Sequence, residues 1–313
     1  MRSFAANGGA WQTRKHHADI GSMTEMPVEQ SSGSEIEAVL NRLTLSKVMW
    51  VRVGILDRLD YLQSCGTRLL DVSSEWVNLS CAAKGIDPGS ALAGEEWISG
   101  PMVILRSIRL LRGALQSNGH PVPRRIRQRT DGQFVADVMP TNLFDRLLFS
   151  GVRAEVWIEP GKPPSQGRIY CDKTTGQHAS GRVSLVLGAG NIASIAPTDV
   201  LHKLFVEDEV VVLKMNPVNE YLGPLIERAF GPLVDDGYLA VLYGGSEIGS
   251  RLCHDSRVET IHLTGSDRTH DAIVWGADTA EQTRRKADRD PLLNKPVSSE
   301  LGCVTPVLVV PGP

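Results

Sequence analysis

The chain has 313 residues, a net charge of -3, 42% apolar content and 22% charged content. This balance is that of an ordinary globular protein long enough for two domains, and it gives no electrostatic reason to expect nucleic acid or an anionic membrane as partner. No apolar run approaches the roughly 20 residues that span a bilayer, and five cysteines with no C-x-x-C spacing point to neither zinc nor a disulfide framework, so the reducing cytoplasm is the simpler compartment.

Residues 1–34 read as a disordered tail, with order beginning at Ser34, where Ser34-x-x-Glu37 has the form of a capping box. Ile36, Val39, Leu40 and Leu43 follow at helical spacing. A second pattern puts Ile55, Leu56, Leu59 and Leu62 on one face, and helix-compatible sequence continues through Trp76, Lys84 and Glu95-Glu96-Trp97 to about Leu115. Residues 35–128 are therefore expected to form a helical layer, with its Trp and Leu side chains serving as core.

The texture changes at residues 129–180, which read as a β-hairpin and linker. Arg129-Thr130-Asp131-Gly132 is a turn signal between strand-like Gln133 to Val138 and the chain before it, and Val152 to Ile158 alternates as a strand does. Breaker-rich loops from Gly161 to Ser165 and from Thr174 to Gly181 lead to the next unit.

Residues 181–300 alternate strand and helix: strands over Val183–Leu187, Glu209–Lys214, Tyr238–Tyr243 and Val258–Leu263, helices over Thr198–Phe205, Glu220–Phe230, Ser246–His254 and Asp267–Trp275. Short apolar strands separated by helices predict a parallel, Rossmann-like sheet with helices on both faces, so the fold class is α/β. Ligands of such sheets bind at the carboxyl ends of the strands, and a dinucleotide is the expected ligand. The segment 301–313 would begin a further domain.

Gly188-Ala189-Gly190-Asn191-Ile192-Ala193 follows the first of these strands and matches the G-x-G-x-x-G/A pyrophosphate fingerprint. The acidic residue that should end the second strand and accept a ribose hydroxyl is replaced by Lys214. A different set fits better. Lys214-Met215-Asn216-Pro217, Gly244-Gly245-Ser246-Glu247-Ile248-Gly249 and Leu263-Thr264-Gly265-Ser266 follow the second, third and fourth strands, and Glu300-Leu301-Gly302 lies at the far end.

With Asn191, this order and spacing resembles the aldehyde dehydrogenase superfamily over roughly Val183 to Pro306, and more faintly upstream. The resemblance implies NAD or NADP as cofactor. It gives Lys214 the adenosine ribose hydroxyls, Gly245 and Gly249 close approach to the dinucleotide, and the Thr264-Gly265-Ser266 turn its pyrophosphate, with Ser266 as donor. Asn191 would stabilise the oxyanion of a thiohemiacetal, and Glu300 would act as general base. The substrate would be an aldehyde, oxidised to an acid or an acyl-CoA.

Departures accompany the resemblance. Ala189-Gly190-Asn191 stands where the family often has Pro-Trp-Asn, Cys303 where a second glycine follows the Glu-Leu-Gly, and His270 where a glycine is common. The family nucleophile is a cysteine thirty-odd residues beyond the glutamate, so the chain is expected to be an incomplete aldehyde dehydrogenase-like fold, inactive alone unless a continuation, a homo-oligomer or a second chain supplies that part. Neither Cys303 nor Cys253 is expected to replace it. The alternatives are a non-catalytic nucleotide-binding or interaction module, and a reductase that uses the glycine fingerprint.

Overall fold

The computed structural model describes residues 28–164, 170 and 180–302. Most of the expected tail, Cys171, most of the loop from Thr174 to Gly181, and the segment from Cys303 onward lie outside the described residues.

Helix α1 (Gly33–Trp50) begins at a capping box formed by Ser32 and Glu35, two residues before the expected Ser34 and Glu37. Ser32 Oγ accepts from the Glu35 backbone at 3.1 Å and Glu35 Oε2 accepts from the Ser32 backbone at 3.3 Å. Both boxes exist in the sequence, and tertiary pairing decides between them. Ser31, outside the earlier box, donates its N–H to the Tyr243 carbonyl and accepts the Tyr243 N–H on its hydroxyl, both at 3.1 Å. Glu37 is left at the surface with Arg251 and Arg257.

Helix α2 (Ile55–Lys84) buries Leu62, Cys65, Leu69, Val72 and Trp76 along one stripe. Leu56 is 77% exposed and does not share the face of Ile55, Leu59 and Leu62, because it lies about 100° around the helix from Ile55. The short helix α3 (Ala93–Trp97), a π turn containing Pro101, and helix α4 (Val103–Gln116) complete the helical layer. Trp76 is core, as expected, whereas Trp97 is largely exposed.

Strands β1 (Ile126–Gln128), β2 (Phe134–Met139) and β3 (Ala154–Trp157) form an antiparallel sheet, with the β1–β2 hairpin closing over Arg129 to Gly132. A helix that the sequence did not suggest, α5 (Leu143–Leu148), interrupts β2 and β3. Its anchor is polar: Asn142 caps it, and buried Asp145 accepts from Thr141 and Arg109.

The remaining unit contains β4 (Val183–Leu187), α6 (Ile195–Phe205), β5 (Val210–Lys214), α7 (Gly223–Ala229), α8 (Gly231–Asp235), β6 (Leu239–Leu242), α9 (Ser246–His254), β7 (Thr260–Gly265), α10 (Asp267–Val274), α11 (Thr279–Asp288) and β8 (Val297–Leu301). The five strands are all parallel in the order β6-β5-β4-β7-β8. Strands β4, β5 and β6 are buried throughout, the signature of a sheet covered on both faces. The helix expected over Glu220–Phe230 divides into a 3-10 turn, Pro217–Leu222, and α7, with Pro224 and Pro232 each starting a new helix. Strand β8, with Glu300 inside it, is one of the two edge strands and is mostly exposed.

The helical layer is bolted to the sheet by buried polar contacts. Trp50 Nε1 donates to the Leu204 carbonyl at 3.1 Å, and the fully buried Arg58 guanidinium donates to the Trp50 carbonyl at 2.8 Å and to Asp208 Oδ1 at 2.5 Å. The same guanidinium lies 4.1 Å from the Trp50 ring centroid.

Candidate functional site

The chain runs outward from β4 to β5 to β6, then crosses back to β7 on the other side of β4. A parallel sheet opens at that reversal, and a crevice forms beyond the carboxyl ends of the strands. Here it holds a cleft of about 1110 Å³ bordered by the ends of β4, β5, β7 and β8 and by helices α9 and α10. Asn191, Lys214, Gly249, Thr264, Gly265, Ser266 and Glu300 all line it, although they are spread over more than a hundred residues of chain. Gly245 is not part of the lining; it is the N-cap of α9, whose first-turn residue Ser246 is.

Lys214 ends β5 with only 7% of its surface exposed. Its ammonium has no hydrogen-bond or ion-pair partner among the described residues, and burial holds its pKa below the usual lysine value, with the nearby Glu220 carboxylate acting the other way. The side chain is thus mostly buried while its ammonium borders the cleft without a protein partner, where it is open to an acceptor that enters from outside. Arg268, at the mouth of the same cleft, also has a guanidinium with no partner among the described residues. Against these two cations the lining offers one carboxylate, Glu300, so the cleft favours anionic ligands.

The glycines of the fingerprint have a packing role. A Cβ on Gly188 would come within 3.3 Å of Ala196 Cβ, and one on Gly190 within 2.9 Å of Asn216 Oδ1. Helix α6 begins only at Ile195, with Ser194 as N-cap and no side-chain capping bond. Helix α9 starts directly after Gly244-Gly245 and likewise has no side-chain cap, leaving its first N–H groups and the positive end of its dipole beside the cleft. A Cβ on Gly245 would meet nothing within 4 Å, so close packing inside the chain does not account for that glycine.

Ser266 caps α10: its hydroxyl accepts from the Thr269 backbone at 3.1 Å and lies 3.0 Å from Thr269 Oγ1. Either hydroxyl can donate in that contact, and Ser266 borders the cleft. Thr264 Oγ1 donates to Asp199 Oδ2 at 3.0 Å, so this side chain is already committed. Glu300 pairs in register with Thr264 across β8 and β7 and is exposed. Asn191 is exposed at the β4 end. Sequence reasoning missed Asn216 and Arg268 as lining residues; only the Lys-x-Asn and Ser-x-Arg spacing after each strand could have indicated them.

Of the described cysteines only Cys253 borders the cleft, and burial pushes its thiol up to about 11, so it stays protonated near neutral pH. Among the described residues there is no cluster able to hold a metal ion, and no helix is long and apolar enough to cross a membrane.

A five-stranded parallel sheet with its cleft at the strand reversal defines the class: a Rossmann-like α/β fold, preceded by a helical layer and a small antiparallel sheet. Comparison with solved structures narrows the class to the aldehyde dehydrogenase fold. No protein-family model matches the sequence, and no curated protein sequence does. The chain superposes on an NAD-dependent benzaldehyde dehydrogenase from Corynebacterium glutamicum with a TM-score of 0.53 and 17% identity, over 87% of this chain and 47% of that one. For the glyceraldehyde-3-phosphate dehydrogenase GapN of Methanocaldococcus jannaschii, complexed with NADP, the values are 0.52, 14%, 88% and 48%. For a Mycobacterium tuberculosis aldehyde dehydrogenase complexed with NAD+ they are 0.51, 16%, 88% and 45%. The chain thus spans a little under half the length of the structures it matches.

Proposed function

We propose that residues 181–300 bind NAD or NADP in this cleft and form the cofactor-binding part of an aldehyde dehydrogenase-type oxidoreductase. The observation that carries the reading is the convergence of seven of the eight candidate residues on one cleft around the buried, unpartnered Lys214. In this reading Lys214 donates to the adenosine ribose hydroxyls, the α9 N-terminus behind Gly245 and Gly249 accommodates the dinucleotide, and Ser266 donates to a pyrophosphate oxygen. Arg268 adds a cation for phosphate. When bound, the nicotinamide ring supplies the two-electron acceptor.

At the other end of the cleft, Asn191 offers its amide to an oxygen that gains negative charge in an aldehyde substrate, a donor whose loss costs about 3 kcal/mol of barrier. Glu300 takes a proton from the water, or from the acyl acceptor, that completes the reaction. Neither can form the covalent adduct, and the protonated thiol of Cys253 does not serve. The described part accordingly holds cofactor without turning it over, and the covalent step falls to residues contributed by further chain, by a second copy or by a partner chain.

Titration of the purified chain with NADH and NADPH, followed by ligand fluorescence, tests the reading. Saturable binding is expected, weakened at least tenfold in Lys214→Ala, with no NADH formed when NAD+ and an aldehyde are added together. Binding that is indifferent to Lys214→Ala but lost in Gly188→Ala would favour a reductase using the glycine fingerprint.

A further inference from the structure

Asp199, His262 and Ser298 meet on the face of β7 and β8 that looks toward α4 and α6. His262 Nδ1 lies 2.9 Å from Ser298 Oγ, and its Nε2 lies 3.5 Å from Asp199 Oδ2. The two residues from the sheet are register partners on adjacent parallel strands, so the contact is fixed by the ladder itself. Asp199 comes from the first turns of α6 and is held in turn by Thr264 Oγ1 at 3.0 Å. Asp199 and His262 side chains are 13% and 12% exposed, which places them out of bulk water but within reach of it.

From this we infer that the chain carries a second chemical site: a serine nucleophile at Ser298, with His262 as its base and Asp199 as the group that orients the base, acting on small carboxylic esters. A nucleophile and base within hydrogen-bond reach, with the base oriented by a third group, is the arrangement on which serine acyl transfer depends. Asp199 and the Thr264 hydroxyl, 3.4 Å away, both lie on the Nε2 side, and the tautomer protonated there leaves the Nδ1 lone pair for the serine hydroxyl. The same hydroxyl lies 3.4 Å from the Ile261 carbonyl, a longer and weaker acceptor than His262 Nδ1.

The three residues border a cavity of about 630 Å³ that shares only Glu300 with the dinucleotide cleft. Leu110 and Leu111 of α4 form an apolar wall for an acyl chain, and Ser107, whose hydroxyl has no partner among the described residues, borders the cavity as a donor for a carbonyl oxygen that becomes an oxyanion. In the first step Ser298 Oγ adds to the ester carbonyl while its proton passes to His262 Nδ1. The bond from the carbonyl carbon to the alkoxy oxygen then breaks, and the alcohol leaves with that proton. Water repeats the sequence on the acyl-serine, so ester and water become acid and alcohol with no redox change.

The test uses the whole chain, with p-nitrophenyl acetate as substrate and a fluorophosphonate as covalent probe. Expected are hydrolysis above the buffer rate, unaffected by iodoacetamide, and a single adduct mapped by mass spectrometry to the peptide carrying Ser298. Ser298→Ala should abolish both, and His262→Ala should lower the rate by about a hundredfold or more with the melting temperature retained. Absence of an adduct on the unaltered chain, an adduct elsewhere, or hydrolysis that survives Ser298→Ala would each overturn the assignment.

Discussion

A Cβ placed on Gly190 would stand 2.9 Å from Oδ1 of Asn216, so the turn after β4 and the turn after β5 touch at the one point where no side chain fits. The Asn216 side chain cannot simply swing away, because that oxygen accepts the Val218 backbone N–H at 3.0 Å and caps the 3-10 turn. Gly190→Ala should therefore destabilise the fold by about 1–2 kcal/mol, as overpacking does. Gly245→Ala meets open space and should change stability by less than about 0.5 kcal/mol while weakening dinucleotide binding. Paired thermal melts and NADH titrations of the two variants separate the packing glycine from the ligand glycine.

Lys214 should show a conflict between stability and binding. Its folded pKa lies below the unfolded one because burial disfavours the ammonium. Between those two values the unfolded chain holds more protons, so stability rises with pH across that window, and below it the buried charge is a standing cost. Lys214→Met should raise the melting temperature at pH 7, abolish that alkaline rise and weaken cofactor binding. An equal or lower melting temperature would show that the ammonium is satisfied in a way the fold does not reveal.

Acid stability should depend on Glu207. Hydrogen bonds from His202 and Lys203 bring its pKa from the ordinary value near 4.5 down to about 2. A lowered carboxylate contributes stability that is present above the unfolded value and lost as pH falls through the folded one. Urea midpoints measured from pH 5 to pH 2 should fall less steeply in Glu207→Gln than in the parent chain.

The buried Arg58 should be among the least replaceable residues outside the sheet. Arg58→Ala removes donors to the carbonyls of Val53, Trp50 and Leu204 and to Asp208, and withdraws the cation from the Trp50 ring. A loss of about 3–5 kcal/mol is expected in chemical denaturation, the range seen when one partner of a buried ion pair is removed.

Cys253 should be unreactive in the native chain despite bordering the cleft, since burial keeps its thiol protonated. Iodoacetamide at pH 8 followed by peptide mapping should leave Cys253 unmodified until denaturant is added.

These expectations also mark how far the sequence could be read. Strands β4, β5 and β6 were legible because their residues are almost all apolar on both faces, and a run such as Val210 to Leu213 has few other places to go; β7, with Thr260, His262 and Thr264 on one face, was legible from Ile261, Leu263 and the turn after it. The loops after them carried the cleft residues in a recognisable order. What escaped notice lacked a buried apolar face. Helix α11 has no buried residue, α5 keeps Leu143 and Leu147 exposed while burying Asp145, and β8 is an edge strand with polar outward residues. The Asp199–His262–Ser298 cluster was invisible for another reason: its members lie 36 and 63 positions apart along the chain, and only the β7–β8 register and the seat of α6 bring them together.

The pairing of Ser31 with Tyr243 bears on how the protein is made. Its two partners are separated by 212 positions, and the helix that follows Ser31 packs its Ile36, Leu40 and Leu43 into the core. A ribosome adding about 5–20 residues per second needs on the order of 10–40 s to cover that distance. For most of that time, until β4 and β5 have been made, the first helix has emerged with its apolar stripe bare and no strand to receive it. The nascent chain is therefore a natural client for holdase chaperones, and the yield of folded protein should respond more sharply to slower synthesis at low temperature than its final stability would suggest.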